Sequence, residues 1–235
     1  MLIKSFCLFL LLALGRAALI ARYSLDEGAG TSVADSSGLS KADGTVSGSF
    51  SWVADGGNAA FSGEPSLRFT GNQAGGAGLT LIPSIFGSPL SDAMTFTAWI
   101  KFNANLGGYT TIIDTSPRQF AVWLGGATAG GWSALGAAFP SSCLSAQPTT
   151  GWHFLQVSQS TTAVTVYLDE ALACSDTFGP SSWSITTNVV LGTLNPSGGG
   201  NVNTSPDYEM QDVRFYDTFA SSALASTSGM IFGAE

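Results

Sequence analysis

The chain has 235 residues, 45% of them hydrophobic and only 10% charged, with a formal net charge of −8. That apolar content is ample for a core, so solubility has to come from Ser, Thr, Asn and Gly. An acidic chain with no basic cluster repels phosphate backbones, which argues against DNA or RNA as partners.

Residues 1–17 read as a signal peptide. Lys4 supplies the positive start, Phe6–Leu14 is an apolar run of nine residues, and Gly15-Arg-Ala17 places small residues before a cleavage site after Ala17. Nine residues are too few for a hydrocarbon core that needs about 20, and no later segment reads as a span. The expectation is one secreted domain over 18–235. Without Lys4 and Arg16 its balance is 6 basic against 16 acidic residues, a net −10. Acidic oxygens with so few cations favour one structural Ca²⁺. Cys7 leaves with the leader. Cys143 and Cys174 remain, and in an oxidising compartment they most simply pair. Such a bridge closes a loop of about 31 residues and contributes roughly 3–4 kcal/mol; two buried free thiols are the alternative.

Gly and Pro punctuate the whole chain, and short alternating segments recur between them. Strands are expected at Leu19–Leu25, Ala42–Val46, Ser66–Phe69, Leu79–Ile82 and Met94–Phe102. More follow at Tyr109–Asp114, Gln119–Leu124, Gly151–Val157, Ala163–Leu168, Asn188–Gly192 and Met210–Asp217. In the fifth of these, Met94, Phe96, Ala98, Ile100 and Phe102 share one face, and Thr95, Thr97, Trp99 and Lys101 the other. About eleven strands at short spacing argue an all-β, two-sheet antiparallel sandwich. Ser221–Ser226 reads as a short terminal helix. Gly198–Gly200 with Asn201 and Asn203 reads as a long loop, and Asn203-Thr-Ser205 is an N-glycosylation sequon in it.

Several segments together resemble a known family. Tyr23–Gly28, Val33-Ala-Asp-Ser-Ser-Gly38, Ser66-Leu-Arg-Phe-Thr-Gly71, Thr95–Lys101, Gly151–Leu155, Val164–Asp169 and Val213-Arg-Phe-Tyr216 are similar, in order, to the strands and loops of the laminin-G-like, concanavalin A-like jelly roll. The resemblance covers nearly all of 18–235. It implies the sandwich, and it implies that the first and last strands are neighbours. One departure is Asp169-Glu170, where the family commonly has Asp-Gly. A two-residue hairpin turn wants positive φ, so a different or longer turn is expected here.

The fold hosts lectins, adhesion modules and glycanases alike, so function rests on the site. Glycosidases need two convergent carboxylates. Glu209 and Asp212 are three apart and in a regular strand diverge, as do Asp169 and Glu170. The single histidine, His153, shares its strand face with Leu155 and Val157 and reads as satisfied by a backbone partner. No nucleophile elbow or phosphate loop occurs. A calcium site is the sharpest chemical idea. Asp35 and Asp43 sit beside turn residues, and Glu209 or Asp212 would complete the site if the first and last strands adjoin; the alternative is that Asp35 and Asp43 cap turns. Trp99, Trp123, Trp132 and Tyr167 are the candidate sugar platforms, against the alternative that they fill the core. The expectation is non-catalytic binding of a glycan or glycoprotein at a cell surface or in matrix. The alternatives are a self-associating structural protein of an extracellular layer and, third, a glycoside hydrolase.

Overall fold

Alternation of apolar and small polar side chains dictates strands here, and the chain forms fifteen among the described residues. The computed structural model describes residues 18–54, 61, 63–70, 78–81, 93–103, 110–115, 121–124, 132–134, 149–177, 188–193 and 207–224. The leader-like segment 1–17, Cys143 and Asn203 lie outside them.

One sheet, here the front sheet, has eight strands. They are β1 (Leu19–Tyr23), β4 (Phe50–Val53), β5 (Ser66–Thr70), β7 (Ala93–Phe102), β11 (Gly151–Ser160), β12 (Val164–Leu168), β13 (Ala171–Asp176) and β15 (Asp207–Tyr216). Their order is β13-β12-β11-β7-β15-β5-β4, with β1 also beside β15. The back sheet has seven: β2 (Ser32–Val33), β3 (Gly44–Ser47), β6 (Gly78–Leu81), β8 (Thr110–Thr115), β9 (Ala121–Leu124), β10 (Trp132–Ala134) and β14 (Val189–Leu191). These run β10-β9-β8-β14-β6-β3-β2. Every strand pairing among the described residues is antiparallel.

The core lies between the sheets. Met94, Phe96, Ala98, Ile100 and Phe102 of β7 all enter it, as their alternation predicts. Leu155 and Val157 of β11, Tyr208, Met210, Val213 and Phe215 of β15, and Leu79 and Leu81 of β6 meet them there. Two tyrosines carry their hydroxyls into this interior and satisfy them on backbone carbonyls: Tyr208 donates to Thr111 O at 2.8 Å and Tyr23 to Ala42 O at 2.9 Å. Burial pushes the Tyr208 phenol well up. Burial, then the charges of Asp35 and Asp43, push Tyr23 up as well. Gly192, at φ +84°, lies against the Phe69 ring so closely that a Cβ would come within 2.6 Å of it, which leaves glycine as the fitting residue there.

Three sequence expectations change. The β12–β13 connection is the tight two-residue hairpin after all. Asp169 and Glu170 have φ of +50° and +66°, the pattern that type I′ requires. Asp169 offsets the missing glycine with its side chain: Oδ1 accepts from Phe154 N at 2.9 Å and Oδ2 lies 2.7 Å from His153 Nδ1. Next, β15 is not regular. A bulge between Gln211 and Arg214, with Asp212 at φ +50°, lets its first half pair with β5 and its second half with β1. The extra residue brings Asp212 to the same outer face as Glu209 instead of the opposite one. Finally, residues 221–224 form bends and irregular chain, not a helix. Their backbone groups bond to front-sheet side chains, which leaves none of those groups for helical bonds.

Candidate functional site

The outer face of the front sheet, turned away from the core, carries two of the aromatic candidates, Trp99 and Tyr167, and most of the ion pairs among the described residues. Its side chains can be read across the strands from the register. One row is Thr165–Ser158–Thr95–Tyr216, the next Tyr167–Gln156–Thr97–Arg214–Arg22. Then come Phe154–Trp99–Gln211 and Trp152–Lys101–Glu209–Arg68. An outer sheet face of Thr, Ser and Gln ordinarily reads as wetted. Here Thr95, Thr97, Gln156, Ser158, Glu209 and Gln211 are all buried.

Part of the cover is the chain that leaves β15. Residues 217–224 cross the outer face as a strap. Thr95 Oγ1 donates to Thr218 O at 2.6 Å and accepts from Ala220 N at 3.1 Å. Tyr167 OH donates to Ser221 O at 2.7 Å. Gln156 clamps the end, donating from Nε2 to Ser222 O at 3.0 Å and accepting at Oε1 from Leu224 N at 2.7 Å. Tyr167 is therefore 9% exposed and holds the strap. It is not an open platform, which corrects the sequence expectation for it.

Trp99 is different. It lies beyond the strap's contacts, half-buried, with its ring 5.3 Å from that of Phe154 at an angle of 55°. Trp123 and Trp132 occupy β9 and β10 of the back sheet, so they do not join it; their side chains lie outside what is described. Beside Trp99, three buried polar atoms have no hydrogen-bond partner among the described residues: Trp99 Nε1, Thr97 Oγ1 and Gln211 Oε1. Gln211 sits directly across from Trp99, and Thr97 lies two residues along β7 on the same face. Opposed Cβ atoms are about 5 Å apart in such a pair, so the three residues are neighbours on the face, with the Trp99 ring against Phe154 and the Gln211 amide turned to Pro65 O. An unmet buried polar atom costs roughly 1–3 kcal/mol, and native proteins hold few of them.

Four of the six Lys and Arg residues beyond residue 17 line this same face, each against a carboxylate. Arg68 forks onto Asp207 through two bonds of 2.8 and 3.0 Å. Lys101 Nζ donates to Glu209 Oε1 at 3.2 Å, while Ser66 Oγ donates to Glu209 Oε2 at 3.0 Å. Arg22 and Arg214 share Asp212 through bonds of 2.7, 3.0 and 2.6 Å. Burial lowers the Arg214 guanidinium, but the hydrogen bonds and charge of Asp212, with Tyr216 beside it, leave it raised.

Those pairings settle the geometry of the calcium candidates. Asp35 accepts from Arg22 N, from Ser37 N and Oγ, and from Lys41 N. Burial raises its carboxyl, yet these bonds outweigh it and hold the group below the usual carboxylate range. Asp43 accepts from Asp35 N at 3.1 Å. Asp35 and Asp43 thus cap a loop, while Glu209 and Asp212 are neutralised by cations. The four do not assemble into one ligand set, and among the described residues no group of three His, Cys, Asp or Glu stands where it could hold a metal. His153 faces acceptors on both nitrogens, Asp169 Oδ2 and Thr149 O at 2.9 Å, the satisfied role its strand position suggests.

Sequence reasoning missed Phe154, Gln156, Gln211, Thr97 and the strap. The signal that was available is the odd-even pattern itself. It put Thr97 on the face of Trp99, but it cannot say that a polar face is covered.

Two antiparallel sheets with a buried interface and a polar outer face define the class as a jelly-roll sandwich. The chain belongs to the concanavalin A-like lectin/glucanases superfamily, whose laminin-G family model matches residues 72–223. No curated protein matches the chain. Among solved structures it is similar to domain 4 of AbnA, an extracellular GH43 arabinanase of Geobacillus stearothermophilus, determined in complex with arabinotriose. That match has 18% identity and a TM-score of 0.61 over 85% of this chain and 92% of that one. It is also similar to Trypanosoma rangeli sialidase in complex with sialic acid, at 14% identity and a TM-score of 0.61. There it spans 86% of this chain but 31% of the sialidase. A third is a botulinum neurotoxin type C structure, from work on cell entry through two ganglioside molecules: 13% identity, TM-score 0.54, 87% of this chain and 49% of that one. At these identities the likeness shows the fold alone. No helix among the described residues is long and apolar enough to cross a membrane.

Proposed function

We propose that the chain is a secreted, non-catalytic module that binds a glycan or glycoprotein through the outer face of its front sheet, centred on Trp99. The observation that carries this reading is the pairing of an aromatic surface, Trp99 against Phe154, with buried polar atoms of Thr97, Trp99 and Gln211 that have no partner among the described residues. Sugars offer flat C–H faces to aromatic rings and hydroxyls to buried donors and acceptors. Support also comes from neighbours whose structures hold arabinotriose or concern gangliosides.

The non-catalytic part rests on the carboxylates. Glu209, Asp212 and Asp207 on this face are each bonded to Lys or Arg, so none stands ready to protonate or attack a glycosidic bond. Secretion rests on residues 1–17 and on the cysteines. Cys174 is buried in β13 as a half-cystine, and Cys143 is the partner in this reading. The sequon at Asn203 would then carry a glycan in a eukaryotic route. Self-association has less behind it: the large apolar side chains exposed among the described residues are Leu39 and Leu172, on separate elements.

The test is a broad glycan array probed with the oxidised protein from Ala18 onward, with Ca²⁺ and with EDTA. Selective binding that survives EDTA is expected, because the acidic candidates are already engaged. An array with no bound sugar in either condition contradicts the reading.

A further inference from the structure

Ala18 and Asp217 meet where β1 begins and where the strap leaves β15. Ala18 N donates to Asp217 Oδ1 at 3.2 Å, and Asp217 N donates back to Ala18 O at 3.1 Å. Leu19 pairs with Tyr216 one residue inward, so this reciprocal contact closes the end of the β1–β15 ladder. The next residue, Thr218, already bonds through its carbonyl to Thr95 on the outer face, which makes Asp217 the root of the strap. Ala18 is exposed and Asp217 half-buried. Ala18 is also the residue that follows the expected leader cleavage after Ala17.

In the uncut chain Ala18 N is an amide nitrogen, with one hydrogen and no charge. A leader peptidase would add water across the Ala17–Ala18 bond. Ala17 leaves as a carboxylate, and Ala18 keeps an amine that takes up the proton released. The charge then arises on an atom that stands 3.2 Å from a carboxylate oxygen. We infer that leader removal creates an ion pair between the Ala18 α-ammonium and Asp217, and that this pair fastens the root of the strap to β1. The inference rests on the secretion part of the proposed reading and not on the glycan. The other charged groups on the adjoining elements are engaged elsewhere. Arg22 of β1 and Arg214 of β15 bond to Asp212, Tyr216 lies beside Arg214, and Asp35 caps its own loop and accepts from Arg22 N. An α-amine ordinarily titrates at about 7.7–8.0, and a carboxylate partner favours its charged form and raises that value. The added stability is therefore complete below about pH 7.7 and is lost as pH rises through the folded-state value.

The test expresses the full chain in a secreting host and reads the first residue of the exported protein by intact mass and N-terminal sequencing. Ala18 is expected. A second form carries Gly-Ser inserted between Ala17 and Ala18, so that cleavage leaves the amine two residues away and an uncharged amide at Ala18. D217N is made in both forms, and all four proteins are melted at pH 6.5 and at pH 9.5. At pH 6.5 the insertion is expected to lower the melting temperature by about 1–3 °C. At pH 9.5 that difference should vanish, and with D217N the insertion should have no effect at either pH. Equal melting of the two forms at pH 6.5 overturns the ion pair, and so does a drop that persists at pH 9.5 or in D217N. An exported chain that starts at another residue overturns it as well. A chain that keeps its leader overturns the secretion reading with it. No sugar enters the test, so glycan binding stands or falls separately.

Discussion

Asp169 shows how one side chain can support a tight turn whose customary glycine position is held by Glu170. It holds a positive φ, accepts from Phe154 N and faces His153, so it ties the β12–β13 hairpin to the neighbouring strand β11. D169A is expected to lose about 1–2 kcal/mol, from two acceptors and a residue poorly suited to that φ; chemical denaturation reads it directly. Asp212 is the costlier residue. D212A leaves Arg22 and Arg214 facing each other across β1 and β15 without their shared anion. The loss should be about 3 kcal/mol, the low end for a broken buried pair because Arg22 is half-exposed. Asp35 supplies a pH dependence. Its folded pKa lies below the unfolded value of about 3.9, so its contribution is complete above that value and is lost as pH falls through the folded pKa. Acid titration of D35N against wild type should show a smaller loss below about pH 4 in the variant; equal acid sensitivity would remove Asp35 from the account.

The strap is the element whose role sequence hid most completely. Ser221–Ser226 has the small, helix-tolerant composition that suggests a terminal helix, yet residues 221–224 lie irregular across the sheet. Tertiary partners decided it: Gln156 and Tyr167 bind backbone atoms that a helix needs for itself. The same covering explains why Tyr167 reads as a platform and is found holding the strap. The strands were far more legible. Alternation in β7 assigned both of its faces, because period 2 is a direct consequence of the pleat. The bulge at Asp212 was not legible, since an inserted residue leaves no mark in a run of alternating side chains. Truncation after Asp217 is expected to lower the melting temperature and to open Tyr167 and Gln156 to solvent, read as faster hydrogen exchange in β11 and β12. Unchanged exchange there would mean the strap is not a structural cover.

At the scale of the molecule, the acidic composition and the engaged acidic side chains pull the argument in different directions. Composition alone favours calcium. The structure spends those carboxylates on loop caps and on pairing four of the few cations, all on one face. Family membership was legible because seven short segments recur in order, although each is weak alone. The candidate site was only half legible: Trp99 is one of four aromatic candidates in the sequence, while its polar neighbours read there as ordinary solvent-facing residues. The most direct measurement is calorimetric titration of an array-selected glycan into wild type and W99F side by side. The account predicts saturable one-site binding to wild type and binding at least about tenfold weaker to W99F, which keeps an aromatic ring but has no indole N–H. Equal affinity for the two proteins would contradict it, since the Trp99 indole would then contribute nothing to binding.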